Sequence, residues 1–174
     1  MRKKITYQDE CDRSYGLTGM AISLAVFNNG EKIMDIDIDR SPEPIGLAHD
    51  FFFSGNPRCS AKMVWDEMAE NFHLALAMAI GNLLSRKLVH NLDVFNEDDE
   101  RELKAIAINE GAESCGLERD EVNLIWEKDL NYLRKVFQHP SIQRVVQDMA
   151  SEIQKRRIIS RQEINEILSV LNRW

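Results

Sequence analysis

The sequence predicts a mainly α-helical protein: a helical bundle around a long central helix, with an N-terminal β-hairpin (α+β). Three observations predict this class. Residues 74–84 are apolar on almost every side, an alternating segment with a turn precedes them, and amphipathic segments follow. Because a helix that is apolar all round is usually buried all round, we expect the other elements to pack around a central helix over residues 60–90.

The chain length bounds the domain organisation. A chain of 174 residues is long enough for one domain with a single core. We therefore predict a single domain over residues 1–174. The alternative is a subdivision into residues 1–92, with the hairpin and central helix, and residues 97–174, with a helical bundle.

Composition and charge exclude several classes of partner. The net charge is −7, whereas a nucleic-acid surface needs clustered Lys and Arg. The basic residues of this chain occur only in short, dispersed groups, so we predict no nucleic-acid partner. The long apolar run Leu74–Leu84 is about half of the roughly 20 residues that span a bilayer. We predict no membrane association.

The cysteines and the N-terminus favour the cytoplasm. Cys11, Cys59 and Cys115 are odd in number, widely spaced and without a CxxC pair. Such usage is typical of reduced thiols rather than of a disulfide framework. The first ten residues begin with basic side chains but have no apolar segment behind them, so they do not resemble a signal peptide.

A β-hairpin is predicted before the central helix. Residues 20–27 alternate larger and smaller side chains, Asn28-Asn29-Gly30 is a turn sequence, and residues 31–39 alternate Ile with Asp. A three-residue loop places Leu24 opposite Met34 and separates apolar from polar faces; a two-residue loop mixes them. An isolated hairpin is marginal in water, so we expect its apolar face to lie on the central helix.

The segment between hairpin and central helix contains strong breakers. Residues 41–44 include two prolines, and residues 45–53 fit either a short helix or an extended segment. Ser60 is a suitable N-cap for the central helix. That helix would be about 45 Å long, so a kink near Gly81-Asn82 is one expectation. The Ala77-x-x-x-Gly81 spacing also offers a groove of small side chains, where another helix of this chain or of a second subunit could approach closely.

Three or four amphipathic helices are predicted after residue 96. Four consecutive acids complement the dipole at the first helix N-terminus, and a Ser-x-x-Glu capping box begins the last helix. The predicted limits are Glu97 to about Cys115 with Gly116 as C-cap, Val122–Phe137 ending before Pro140, Ile142–Ile153, and Ser160 to Trp174.

The candidate site residues lie in the first half of the central helix. Asp66, Glu70 and His73 are spaced i, i+4 and i+7 and share one helix face with Glu67 nearby. Carboxylates and imidazole at this spacing can bind one divalent metal ion. Glu70-x-x-His73 resembles the Glu-x-x-His pair of ferritin-like di-metal bundles, although the second copy that those bundles contain is absent. The alternative is that Glu70 and His73 lie at the rim of the core.

A second resemblance involves paired acids on adjacent helices. Glu67-x-x-Glu70 is followed, after the apolar stretch, by Glu97-x-x-Glu100. This arrangement resembles the all-α nucleotide pyrophosphohydrolases, whose acid pairs hold Mg²⁺. The chain departs from that family because its second pair falls beside the segment joining the two halves, and because the Glu-x-x-Asp form is absent.

Two functions follow as expectations. The chain lacks a P-loop, a Gly-x-Ser-x-Gly turn and a dinucleotide-binding Gly-rich turn. The leading expectation is therefore a cytoplasmic, non-catalytic interaction or structural protein without a cofactor, acting as a homodimer or with another protein partner. The alternative is a metal-dependent hydrolase of a nucleotide or phosphate ester that uses Asp66, Glu67, Glu70 and His73.

Overall fold

The computed structural model describes residues 6–48, 61–91 and 97–173. Within these ranges the predicted class is confirmed: the fold is mainly α-helical with a small antiparallel sheet near the N-terminus. The helices are α1 (Glu10–Val26), α2 (Ala61–Leu84), α3 (Glu97–Cys115), α4 (Arg119–Gln138), α5 (Pro140–Arg156) and α6 (Arg161–Leu168). The strands are β1 (Ile33–Asp37), β2 (Ile45–Leu47) and β3 (Ile158–Ser160).

The central helix is confirmed as α2. It packs against α1, α3 and α4, and its apolar side chains, including Leu74, Ala77 and Ile80, are buried. The α-helix continues without a break through residues 81 and 82 to Leu84, and then widens into a π-helical turn, Ser85–Val89. The proposed cap at residue 60 lies outside the described residues.

The first predicted hairpin strand, residues 20–27, is wrong. Residues up to Val26 belong to α1, which Asp9 caps by accepting a hydrogen bond from the backbone N–H of Asp12. The physical reason is that Leu17, Ala21 and Leu24 are spaced i, i+4 and i+7 and are fully buried. Over a run this short, Met20, Ile22 and Leu24 also satisfy the two-residue period of a strand.

The hairpin is formed instead by β1 and β2, and β3 adds a third strand. The strand order is β2-β1-β3, and both pairings are antiparallel. Ile36 lies opposite Ile45 and Ile159, and all three side chains are buried. The predicted second strand is thus confirmed, although the register shifts near Met34. Met34 is 42% exposed instead of buried as predicted.

Close contact between α1 and α2 depends on three glycines. A Cβ atom added to Gly16 would lie 2.7 Å from Nδ2 of Asn82, and one added to Gly81 would lie 2.5 Å from the carbonyl oxygen of Gly19. Real Cβ contacts are essentially never this short. The predicted groove at Ala77-x-x-x-Gly81 therefore contains α1 of the same chain, with Ser23 donating a 2.9 Å hydrogen bond to Gly19.

The C-terminal helices agree with the prediction in number and nearly in limits. Gly116 follows α3 with a φ of +65°, and α6 begins with the predicted Ser160–Glu163 capping box. The last predicted helix ends earlier, at Leu168, and continues as a 3₁₀-helix, Ser169–Arg173.

Helices from the two predicted parts of the chain pack on each other, with α1 against α5 and α2 against α4. The number of domains itself stays a prediction. Across the described ranges, none of the helices combines the length and the apolar character required to cross a bilayer.

Candidate functional site

The candidate site is centred on a histidine and an aspartate from two helices. His73 lies in the middle of α2, and its Nε2 atom is 2.8 Å from Oδ2 of Asp129 on α4. The His73 side chain is 35% exposed, whereas that of Asp129 is only 2% exposed. A buried carboxylate therefore lies directly beneath an imidazole that solvent can reach.

Two aromatic rings border this pair. The ring of Phe27, just after α1, meets the His73 ring edge-on at 5.0 Å between centroids. Tyr132, one turn after Asp129 on α4, lies 5.4 Å from Phe27 and is 43% exposed. Edge-on aromatic contacts are attractive and directional. The Phe27 ring therefore limits the orientations of the imidazole, and Tyr132 packs against Phe27 in turn.

The contact between His73 and Asp129 is short but not aligned as a hydrogen bond. Oδ2 of Asp129 is buried and has no hydrogen-bond partner in the part of the chain that the structure describes. A buried anionic oxygen without a donor costs free energy. The pair is therefore the least satisfied polar group of the α2–α4 contact.

The predicted metal-site residues are distributed along α2. Oε1 of Glu70, whose side chain is 58% exposed, lies 4.0 Å from Nζ of Lys32. Asp66 is exposed and Glu67 half-buried. Within the described residues, no three His, Cys, Asp or Glu side chains already converge as a metal site, and the metal site stays a prediction. The Glu97–Glu100 pair is at the start of α3.

Asp129 is a site residue that the sequence interpretation missed. It lies on the apolar face of α4 between Trp126 and Leu133, both of them buried. An acid at such a position is a detectable signal, because Asp is almost never fully buried unless it is paired. Its partner could not be found from sequence alone, since His73 precedes it by 56 residues, with α3 lying between them.

A second polar cluster lies inside the fold, where the π-helical turn places Arg86 against α1. The Arg86 guanidinium donates to both oxygens of Asp12, and both side chains are fully buried. It also donates to the carbonyl oxygen of Thr6 at 3.0 Å and lies 4.9 Å from the centre of the Tyr7 ring.

Asn82 completes this second cluster by donating to the Tyr7 hydroxyl at 2.9 Å. Burial raises the pKa of the Tyr7 phenol above its usual value. Each charge in the cluster is matched internally, so its role is structural.

A surface pocket of about 540 Å³ adjoins this cluster at the start of α1. The Arg157 guanidinium donates hydrogen bonds to the carboxylates of Glu10 and Asp39. These three residues line the pocket together with Asp9 and Arg13. The hydrogen bond from Arg157 lowers the pKa of the Asp39 carboxyl. The charges of Arg157, Glu10 and Asp39 are therefore already paired with one another.

Comparison with known proteins identifies no relative: no protein-family model matches the chain, and neither curated proteins nor solved structures give a significant match. The function therefore has to be argued from the geometry of the chain itself.

Proposed function

We propose that this chain is a cytoplasmic, non-catalytic interaction protein that acts as a homodimer through α4. The observation that carries the proposal is Leu124, which is 73% exposed on the outward face of α4. Tyr132 follows it two turns later and is 43% exposed. Both are large apolar side chains on one helix, and burying them against a partner is favourable at roughly 25 cal/mol per Å².

The charges of α4 favour a second copy of this chain as the partner. After Arg119, the first turn of the helix contains Asp120 and Glu121, and Arg134 and Lys135 lie near its C-terminal end. In an antiparallel pair related by a two-fold axis, the acidic end of each α4 meets the basic end of the other. The same axis, passing near Lys128, places Leu124 of one copy opposite Tyr132 of the second copy.

Two further observations support the cytoplasmic and non-catalytic parts of the proposal. Cys11 and Cys115 are free thiols, as is usual in a reducing compartment. The buried pair of Arg86 and Asp12 is mutually neutralised, so its charges are used for packing rather than offered to a substrate.

The dimer is tested by replacing Leu124 with lysine. We expect the wild-type protein to elute at twice the chain mass of 20.1 kDa in light scattering at micromolar concentration. Leu124→Lys should elute at the mass of one chain, because the new ammonium group would have to be buried against Tyr132 of the second copy without a partner. Val170→Lys is the matched control, since Val170 is 51% exposed on a different segment. A monomeric wild-type protein, or a dimeric Leu124→Lys variant, would contradict the proposal.

A second function, a metal-dependent hydrolase of phosphate esters, is supported by the contact between His73 and Asp129. An imidazole nitrogen beside a carboxylate oxygen is a pair of donor types that hydrolases use to hold a catalytic metal ion. We expect the wild-type protein with Mn²⁺ to hydrolyse p-nitrophenyl phosphate, and His73→Gln to lose this activity. Absence of hydrolysis by the wild-type protein, or full activity in the variant, would exclude this use of His73.

A further inference from the structure

We infer that Glu70, His73 and Asp129 bind one divalent transition-metal ion between α2 and α4. The inference begins from Oδ2 of Asp129, which is 2.8 Å from Nε2 of His73, is buried, and accepts no hydrogen bond from the described residues. Without a cation between them, a nitrogen lone pair and a carboxylate oxygen would repel each other at this distance. A cation shared by the two atoms, either a proton or a metal ion, removes the repulsion.

The geometry is close to what a metal ion requires. Bonds of about 2.0–2.2 Å to nitrogen and oxygen in a tetrahedral site place two ligand atoms about 3.4 Å apart. His73 and Asp129 would therefore need to separate by roughly 0.6 Å, a shift that rotation of the half-exposed His73 side chain can supply. The imidazole reaches the site from the solvent side and the carboxylate from the core side, which leaves further positions open to solvent.

Glu70 can supply the third ligand. It precedes His73 by three residues on α2, and side chains at i and i+3 are neighbours on a helix surface. Its carboxylate lies 4.0 Å from Lys32 and is 58% exposed. An ion pair of this length with a largely exposed carboxylate contributes little to stability, so the Glu70 side chain can rotate toward His73 at low cost.

The ligand types indicate the class of metal. One imidazole nitrogen with two carboxylate oxygens suits Zn²⁺, Mn²⁺ or Fe²⁺ better than Ca²⁺ or Mg²⁺, which prefer oxygen alone. Asp66 is excluded from this ligand set because it is two turns before His73, about 10 Å along the helix axis. Asp129 takes its place, from a helix that the sequence motif does not include.

The inference goes beyond the proposed dimer and specifies the ligand set of the second proposed function. It requires neither dimerisation nor activity. Two ligands come from α2 and one from α4, so the metal ion would connect the two helices and would stabilise the fold even without catalysis. The test is therefore a measurement of binding alone.

The experiment is calorimetric titration of Zn²⁺ into protein first dialysed against a chelator. We expect one ion per chain for the wild-type protein, loss of binding in His73→Gln and Asp129→Asn, and weaker binding in Glu70→Gln. Asp148→Asn is the matched control, because Asp148 is an exposed acid on α5; it should bind as the wild type does.

Two outcomes would overturn the inference. The first is that the wild-type protein binds no stoichiometric ion, which would leave a proton as the shared cation. The second is that Asp129→Asn binds the ion as the wild-type protein does. Far-UV circular dichroism separates lost ligands from lost folding. Since His73 is partly exposed, His73→Gln should remain folded even if Asp129→Asn does not. Light scattering of the same samples reports on the dimer separately.

Discussion

Gly81→Ala is expected to destabilise the protein by about 3 kcal/mol, the upper part of the range for overpacked cores. A Cβ atom at residue 81 would overlap Oγ of Ser23 and lie 2.5 Å from the backbone oxygen of Gly19. Helix propensity alone predicts the opposite sign, a gain of about 1 kcal/mol for Gly→Ala inside a helix. The steric term should dominate, because the backbone of α1 can move away only by disturbing the whole α1–α2 contact.

The measurement is the free energy of unfolding from urea denaturation. Ala75→Gly is the calibration, since Ala75 lies on the exposed face of the same helix and should lose about 1 kcal/mol through propensity alone. Ser23→Gly combined with Gly81→Ala should recover only part of the loss, because the contact with the backbone of Gly19 remains. A stabilised Gly81→Ala variant would mean that α1 and α2 are not in close contact.

Arg86→Met is expected to cost about 3–5 kcal/mol, the usual result of leaving one partner of a buried ion pair without the other. Arg86 and Asp12 are both fully buried, so the remaining carboxylate would lie in the core without its guanidinium. The variant also removes the hydrogen bond to the carbonyl oxygen of Thr6. Urea denaturation would show the effect as a lower transition midpoint.

Two comparisons make the Arg86 result specific. Asp12→Ala combined with Arg86→Met should be more stable than Arg86→Met alone, because no unpaired charge then remains in the core. Arg101→Met should cost less than 1 kcal/mol, since Arg101 is 72% exposed in its ion pair with Asp98. A loss for Arg86→Met as small as that for Arg101→Met would contradict the burial of this pair.

The parts of the fold with long helical periodicity were predictable from sequence. Val122, Trp126 and Leu133 repeat over several turns of α4, so the helical period is unambiguous, and Gly116 marks where the preceding helix ends. Residues 20–27 were misassigned because eight residues satisfy both periods. Gly16, Gly19 and Ser23 of α1 serve a helix–helix contact, and such a contact has no local signature.

The candidate site was only half predictable for a related reason. Glu70 and His73 share one helix, so their spacing alone relates them. Asp129, Phe27 and Lys32 approach them from other elements. These contacts depend on how α1 and α4 pack against α2, and a single sequence contains no information on that packing beyond the apolar face of each helix.

The sheet joins distant parts of the polypeptide. β1 pairs with β3, and the ion pair between Asp39 and Arg157 links residues 118 positions apart. During synthesis, β1 leaves the ribosome shortly before β2 but long before β3, its second partner strand. Completion of the sheet therefore has to wait until residue 160 has emerged. Until then the unpaired edge of β1 is a surface on which nascent chains could aggregate or a chaperone could bind.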